Sequence, residues 1–111
     1  MKPPIIADNR GDVLVFETVE KAERYLEPID VKNNEYEIYD AGGWRLTASV
    51  IRDSRGRERV RLSLNQPPIQ DQDKLRTILL EYLSAVMNPK EAIDNCSFEQ
   101  LVEYGLKFKT E

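Results

Sequence analysis

Pairs of carboxylates are the first residues of this chain that could do chemistry. Glu35 and Glu37 lie two positions apart, and so do Asp71 and Asp73, a spacing that could in principle serve acid–base catalysis. The first pair, however, falls at the outward positions of a strand pattern, and the second falls in the first turn of a helix pattern. Solubility and helix capping explain both pairs, so we expect neither to be catalytic.

The remaining chemistry is limited by what the composition lacks. The chain contains no histidine, which excludes Ser-His-Asp, Cys-His and imidazole–metal arrangements. Cys96 is the only cysteine, so no internal disulfide or thiolate cluster can form, and we interpret it as a small core residue. The glycines match neither phosphate-binding motif. We therefore expect no enzyme activity, no cofactor and no metal.

A cluster of arginines is the most pronounced charge feature. It comprises Arg52, Arg55, Arg57, Arg59 and Arg61. Three interpretations stay open: a solvated hairpin whose charges discourage aggregation, a basic site for an acidic protein, and a nucleic-acid contact. Nucleic acid is disfavoured because residues 52–64 hold no aromatic side chain for base stacking and because both ends of the chain are acidic.

The arginines belong to a predicted antiparallel meander. Apolar residues alternate with period two at Tyr36 and Ile38, then from Trp44 to Val50, and again from Val60 to Leu64. A three-residue turn at 41–43 would place Asp40 opposite Trp44, and a second turn at 53–57 would place Arg52 opposite Glu58. Both turns are compatible with one buried face made of the even-numbered positions.

Further elements flank the meander. Short apolar runs at 4–7 and 12–17 predict a strand pair, and Thr18 can cap a helix over 19–27 that Pro28 ends. A longer helix is predicted over 71–87, a short one from Asn88, and a last one that opens at the capping box of Ser97–Gln100 and stops near Gly105.

The expected fold is an α+β domain, an antiparallel sheet of four or five strands with helices packed on one face, in the order ββαβββαα. Positions expected to face inward include Phe16, Leu26, Ile38, Leu46, Val50, Val60, Leu62, Leu79 and Leu83.

Length and composition describe the class of protein. We expect residues 1–111 to form a single domain, because a chain of 111 residues with 41% apolar and 32% charged residues can build one core. No apolar run approaches the roughly 20 residues of a membrane-spanning helix, and no signal peptide is readable at the amino terminus. We expect a cytoplasmic protein without a membrane partner.

The outward positions of the meander predict where a partner docks. One strand carries acids there and the other two carry arginines, and Tyr39 is the tyrosine that this register leaves exposed. An exposed tyrosine among acids on a rigid strand provides an apolar anchor within a steering field. The predicted partner-binding residues are Glu35, Glu37, Tyr39 and Asp40. Competing surfaces are the acids of the first helix, Glu20, Glu23 and Glu27, and the arginine hairpin.

The segment from Phe16 to Asp40 carries a family resemblance. Its sequence, FETVEKAERYLEPIDVKNNEYEIYD, resembles small bacterial immunity proteins that are encoded beside polymorphic toxins of the Rhs and contact-dependent growth inhibition systems. The resemblance covers about a quarter of the chain and holds no functional signature. It implies a non-enzymatic cytoplasmic protein that binds and neutralises its cognate toxin domain, with a basic nuclease as one candidate. The alternative is a small nucleic-acid-associated or regulatory protein that uses the arginine hairpin, and the sequence leaves open whether the free protein dimerises.

Overall fold

A computed structural model describes residues 1–86 and 95–109, with side chains up to residue 107. The predicted short helix from Asn88 lies outside these residues. The strands are β1 (Ile5–Asn9), β2 (Asp12–Phe16), β3 (Glu37–Tyr39), β4 (Arg45–Arg52) and β5 (Glu58–Leu64). The helices are α1 (Val19–Tyr25), α2 (Pro28–Lys32), α3 (Gln72–Val86) and α4 (Phe98–Lys109).

The five strands form one antiparallel sheet in the order β2-β1-β3-β4-β5. The α+β fold class is therefore confirmed, and so is the meander of β3, β4 and β5. Asp40 bonds to Trp44 across the first turn through N–H···O at 3.0 Å, and Arg52 lies opposite Glu58 across the second. Both predicted turns thus have the predicted register.

The expectation that the helices pack on one face is corrected by the structure. Contacts with the sheet come from α1 and α2 on one face and from α3 and α4 on the other. The expectation went wrong because β1 and β2 are apolar at successive positions, a pattern typical of strands that are covered on both faces. The sheet is therefore the middle of three layers.

Each face of the sheet has its own core. The α3/α4 side gathers Ile6, Val13, Val15, Tyr39, Leu75, Leu79, Leu83 and Leu101, and the α1/α2 side gathers Ile5, Leu14, Phe16, Leu26, Ile38, Leu46, Val60 and Leu62. The positions predicted to face inward are buried, except that Val50 is half-buried. Cys96 is buried in the first of these cores, as predicted.

Local capping explains where several helices begin. Thr18 Oγ1 accepts a hydrogen bond from the Lys21 N–H at 3.1 Å, and Ser97 and Gln100 form the predicted reciprocal capping box at 2.9 and 3.2 Å. Pro28 ends α1 as expected but also opens the unpredicted α2, because proline suits the first position of a helix. None of the helices within the described ranges is long and apolar enough to cross a bilayer.

Gly105 does not stop the last helix, which continues to Lys109. A Cβ at this position would lie 3.2 Å from Leu79 Cδ2. The glycine therefore lets α4 approach α3 closely.

Candidate protein-binding surface

Over half of one sheet face, the described part of the chain places no helix. The helices α3 and α4 pack against the β2 side of that face, whereas the outward positions of β4 and β5 stay at the surface. We call these positions the open strand face: Thr47, Ser49, Ile51, Arg59, Arg61 and Ser63. All of them are exposed except Ile51, which is half-buried.

Cross-strand pairing arranges the open strand face in rows. Thr47 lies opposite Ser63, Ser49 opposite Arg61, and Ile51 opposite Arg59. Hydroxyls and guanidinium groups make up its polar side chains, and no carboxylate lies among these six residues. Because β4 and β5 are paired along their length, the side chains are held on a rigid backbone. Such a face offers hydrogen-bond donors to an anionic partner.

Asp53, at the start of the β4–β5 turn, neutralises part of this positive charge. Its Oδ2 lies 3.2 Å from Arg59 Nε and 3.6 Å from Arg57 Nε. Its Oδ1 accepts the backbone N–H groups of Arg55 and Arg57, each at 2.9 Å. The Arg57 backbone bond, followed by that of Arg55, holds the pKa of Asp53 below its usual value. Arg61 has no ion-pair partner within the described part of the chain, so its charge remains available.

The outer edge of β5 is closed to strand addition by a side chain. Glu23 of α1 accepts a hydrogen bond from the backbone N–H of Leu62 at 2.8 Å. Lys32 of α2 adds an ion pair to Glu58 at 2.5 Å. Occupied edge groups and charges of this kind prevent another strand from pairing. These two contacts obstruct part of the β5 edge and leave the face of the hairpin as the less obstructed surface.

Beside the open strand face, on the same side of the sheet, a polar cluster joins β3, β4 and α3. The Arg45 guanidinium stacks 5.0 Å from the centre of the Tyr39 ring. Glu37 binds Lys74 of α3 at 2.9 Å, and this bond is the main reason that the pKa of Glu37 is lowered. Burial raises the pKa of Tyr39 to about 12. The cluster ties the meander to the helical layer.

The predicted docking segment is largely not a surface. Tyr39 has no exposed area, and Asp40 is 2% exposed. The prediction that Tyr39 is exposed is wrong because α3 covers the outward positions of β3. With all helices on the opposite face, as expected from the sequence, these positions would have been exposed. Glu37 is half-buried and paired with Lys74, and only Glu35 is freely exposed. A binding role for this segment stays a prediction that rests on Glu35 and Glu37.

The buried carboxylate of Asp40 has a structural role. It accepts backbone N–H groups of Gly42 at 2.9 Å, of Trp44 at 3.0 Å and of Lys2 at 3.0 Å. A carboxylate with three such donors shapes the β3–β4 turn and ties the amino terminus to it. The sequence signal for this role was the spacing of Asp40 before a glycine pair, which is typical of an Asx turn.

A second charged surface lies around Glu35. The carboxylate of Asp30 is the main cause of the raised pKa of Glu35. A hollow of about 180 Å³ there is lined by Asp8, Arg10, Asn34, Glu35, Tyr36 and Glu37. This acidic surface competes with the open strand face as a docking site and suits a partner of opposite charge.

Sites for catalysis or metals are not apparent in the described ranges. No group of three or more candidate ligands that could hold a metal ion is found there. An apolar hollow of about 520 Å³ is lined by Met1, Lys2, Asp40, Gly42, Trp44, Leu64 and Pro68, but the one carboxylate in it is fully engaged by backbone donors. Comparison of the chain with models of protein families, with curated proteins and with solved structures finds no significant match.

Proposed function

We propose that this chain is a non-enzymatic protein-binding protein that docks an acidic surface of its partner on the open strand face. The observation that supports this proposal is a rigid strand face, rich in hydrogen-bond donors, that no helix of the described residues covers. It includes the guanidinium of Arg61, which has no ion-pair partner among those residues. Guanidinium groups bind carboxylates through two parallel hydrogen bonds, and residues held on strands lose little entropy on binding.

A protein is favoured over a nucleic acid as the partner. The open strand face has no aromatic ring on which a base could stack. The whole chain has a net charge of −4 and a pI of about 5.0, so its long-range field repels a polyanion. The alternative, a nucleic-acid-associated protein using residues 52–61, is favoured only by the local concentration of arginines.

The narrower proposal is a cytoplasmic immunity protein, with a cognate toxin domain as the partner. It is supported by the resemblance of Phe16–Asp40 to immunity proteins and by nothing else. If the toxin is a basic nuclease, complementarity directs it to the acidic surface around Glu35 instead of the open strand face. The two docking sites therefore correspond to two kinds of toxin.

A growth assay with the neighbouring gene tests the function. Cells that express the domain encoded beside this gene should stop growing, and co-expression of this chain should restore growth. The variant that carries Arg59→Glu and Arg61→Glu should lose protection, whereas Lys2→Glu with Arg24→Glu makes the same charge change at exposed positions elsewhere and should retain it. In parallel, an electrophoretic shift with random RNA should show no salt-sensitive complex. An RNA complex that the Arg59/Arg61 variant abolishes, together with no protection, would favour the alternative.

A further inference from the structure

Strand β4 continues beyond the end of its neighbour β3. The ladder between these two strands ends at Leu46, whereas β4 runs on to Arg52. Residues 47–52 are therefore paired with β5 on one side only. The other side of this part of β4 is an interior edge of the sheet.

The backbone groups along this edge have a fixed direction. The N–H of Asp53 donates to the carbonyl of Arg57 at 2.9 Å, so the odd-numbered residues of β4 exchange hydrogen bonds with β5. The even-numbered residues direct their N–H and C=O groups away from β5. We call the outward backbone groups of Ala48, Val50 and Arg52 the free β4 edge.

The free β4 edge has no hydrogen-bond partner within the described residues. No backbone or side-chain group of that part of the chain bonds to its N–H or C=O groups. Solvent reaches these residues, since Ala48 and Val50 are half-buried and Arg52 is exposed. At β5, by contrast, Glu23 occupies the outward N–H of Leu62. An accessible row of unpaired backbone groups is a template for another strand.

One side of an added strand would lie beside the arginines of the open strand face. Ser49 and Ile51 separate the free β4 edge from Arg61 and Arg59. Neighbouring strands are about 4.8 Å apart, and serine is small, so the long Arg61 side chain can reach across Ser49 to an acid on the added strand. Arg59 is held by Asp53 at 3.2 Å, whereas Arg61 has no ion-pair partner in the described ranges.

The other side of an added strand would lie beside apolar surface. A hollow of about 190 Å³ lies where β3 and β4 separate. Its apolar lining comes from Val31, Tyr36, Ile38, Leu46 and Ala48, which belong to or pack against the core beneath α1 and α2. Polar side chains line the remainder of the hollow. Apolar side chains therefore suit this side of the added strand.

We infer that the partner pairs a strand of alternating acidic and apolar residues with the free β4 edge, antiparallel like every strand pair within the sheet. The inference rests on the proposed function and gives it a binding mode. Partner residues opposite Ala48, Val50 and Arg52 exchange hydrogen bonds with them and direct apolar side chains to the side of α2. Partner residues opposite Ser49 and Ile51 direct acids to the open strand face.

Charge favours an acidic strand of another protein over a second copy of this chain. The strands β4 and β5 carry four arginines, Arg45, Arg52, Arg59 and Arg61, against one acid, Glu58. Two such hairpins placed edge to edge would repel each other, whereas an acidic strand is complementary to them.

A synthetic peptide tests the inference. The probe is a blocked peptide of seven alternating valine and glutamate residues with valine at both ends. At saturating peptide, the amides of Ala48 and Val50 should exchange at least about tenfold more slowly, because the pairing protects them. The Ser49 amide bonds to β5 in every state and serves as the internal control. The same peptide with lysine in place of glutamate should bind at least about tenfold more weakly.

Methylation of the peptide backbone tests the pairing itself. A methyl group on the nitrogen of the central valine removes an N–H that points to β4 and should weaken binding at least about tenfold. A methyl group on the neighbouring glutamate lies on the side away from β4 and should leave the dissociation constant within about threefold. Equal losses for the two methylated peptides overturn the strand pairing.

The variant with Arg59→Glu and Arg61→Glu separates this inference from the proposed function. Peptide binding that this variant weakens, with unchanged exchange of Ala48 and Val50, overturns the strand pairing and leaves the proposed function standing. Slower exchange at both amides, with an affinity that the variant does not change, contradicts the role of the arginines and with it the proposed function. Slower exchange on raising the protein concentration without peptide identifies a second copy as the occupant and overturns the inference.

Discussion

The contact between the β3–β4 turn and the start of α3 yields a stability prediction. Gly43 has a φ of +83°, and a Cβ there would lie 2.7 Å from Gln72 Cγ and 3.0 Å from Gln72 Cα. Gly56, in the β4–β5 turn, has a similar φ of +77° but nothing within 4 Å of its Cβ position. Alanine at both positions therefore separates the cost of the backbone conformation from the cost of the contact.

The two substitutions differ in the cost of the contact with Gln72, which arises only at Gly43. The left-handed conformation costs alanine about 1–2 kcal/mol at either site. At Gly43 the backbone of Gln72 must also move, which disturbs the hydrogen bond from the Asp71 N–H to the Gly43 carbonyl at 2.8 Å and the bond from Gln72 Nε2 to the Gly42 carbonyl at 3.0 Å. At about 1 kcal/mol for each bond, Gly43→Ala should destabilise the fold by about 3–4 kcal/mol and Gly56→Ala by about 1–2 kcal/mol.

Urea unfolding followed by the fluorescence of Trp44 measures both variants. A difference of about 2 kcal/mol separates the midpoints by about 1 M when the urea dependence is about 2 kcal/mol per M. Equal losses for the two variants would show that the contact between Gly43 and Gln72 adds no cost to the substitution, and the reasoning would be refuted.

Three further substitutions test other parts of the structure. The pKa of Tyr39 is raised from 10.0 to about 12, so its contribution to stability is complete below about pH 10 and is lost as the pH rises through 12. In Tyr39→Phe the unfolding free energy should therefore fall less steeply between pH 10 and 12, and an unchanged fall contradicts the assignment. Asp40→Ala leaves three backbone N–H groups without their acceptor and should cost about 3 kcal/mol by urea unfolding; a loss below 1 kcal/mol would show that water replaces the carboxylate. Glu23→Ala frees the Leu62 N–H, so hydrogen exchange of that amide should accelerate and the unfolding free energy should fall by about 1 kcal/mol. Unchanged exchange would show that Glu23 does not protect this N–H.

Local patterns predicted much of the fold. Period two and glycine placement gave the registers of β3, β4 and β5, and the capping residues Thr18 and Ser97 correctly marked the starts of α1 and α4. These signals act between neighbours in the chain or across one turn, so a single sequence is enough to read them. The assignment of helices to faces depends on contacts between distant segments, and its one sequence signal was the run of successive apolar residues in β1 and β2.

The predicted docking site is largely buried for the same reason, because its burial depends on contacts between distant segments. Tyr39 has the alternation expected of an outward position, and only the return of α3 over β3 converts that position into core. The arginines of β5 have the same alternation, but none of the helices in residues 1–86 and 95–109 returns over them. The sequence therefore indicated both candidate surfaces correctly in charge but could not tell which one would be covered.

The affinity for the protein encoded beside this gene tests the central claim most directly. Titration calorimetry should give a dissociation constant that rises at least about a hundredfold, or about 2.7 kcal/mol, when Arg59 and Arg61 are both changed to Glu. The control with Lys2→Glu and Arg24→Glu should leave the constant within about threefold of the wild type. An unchanged constant for the Arg59/Arg61 variant, together with weakened binding on Glu35→Lys, would contradict the assignment of the open strand face and place the partner on the acidic surface.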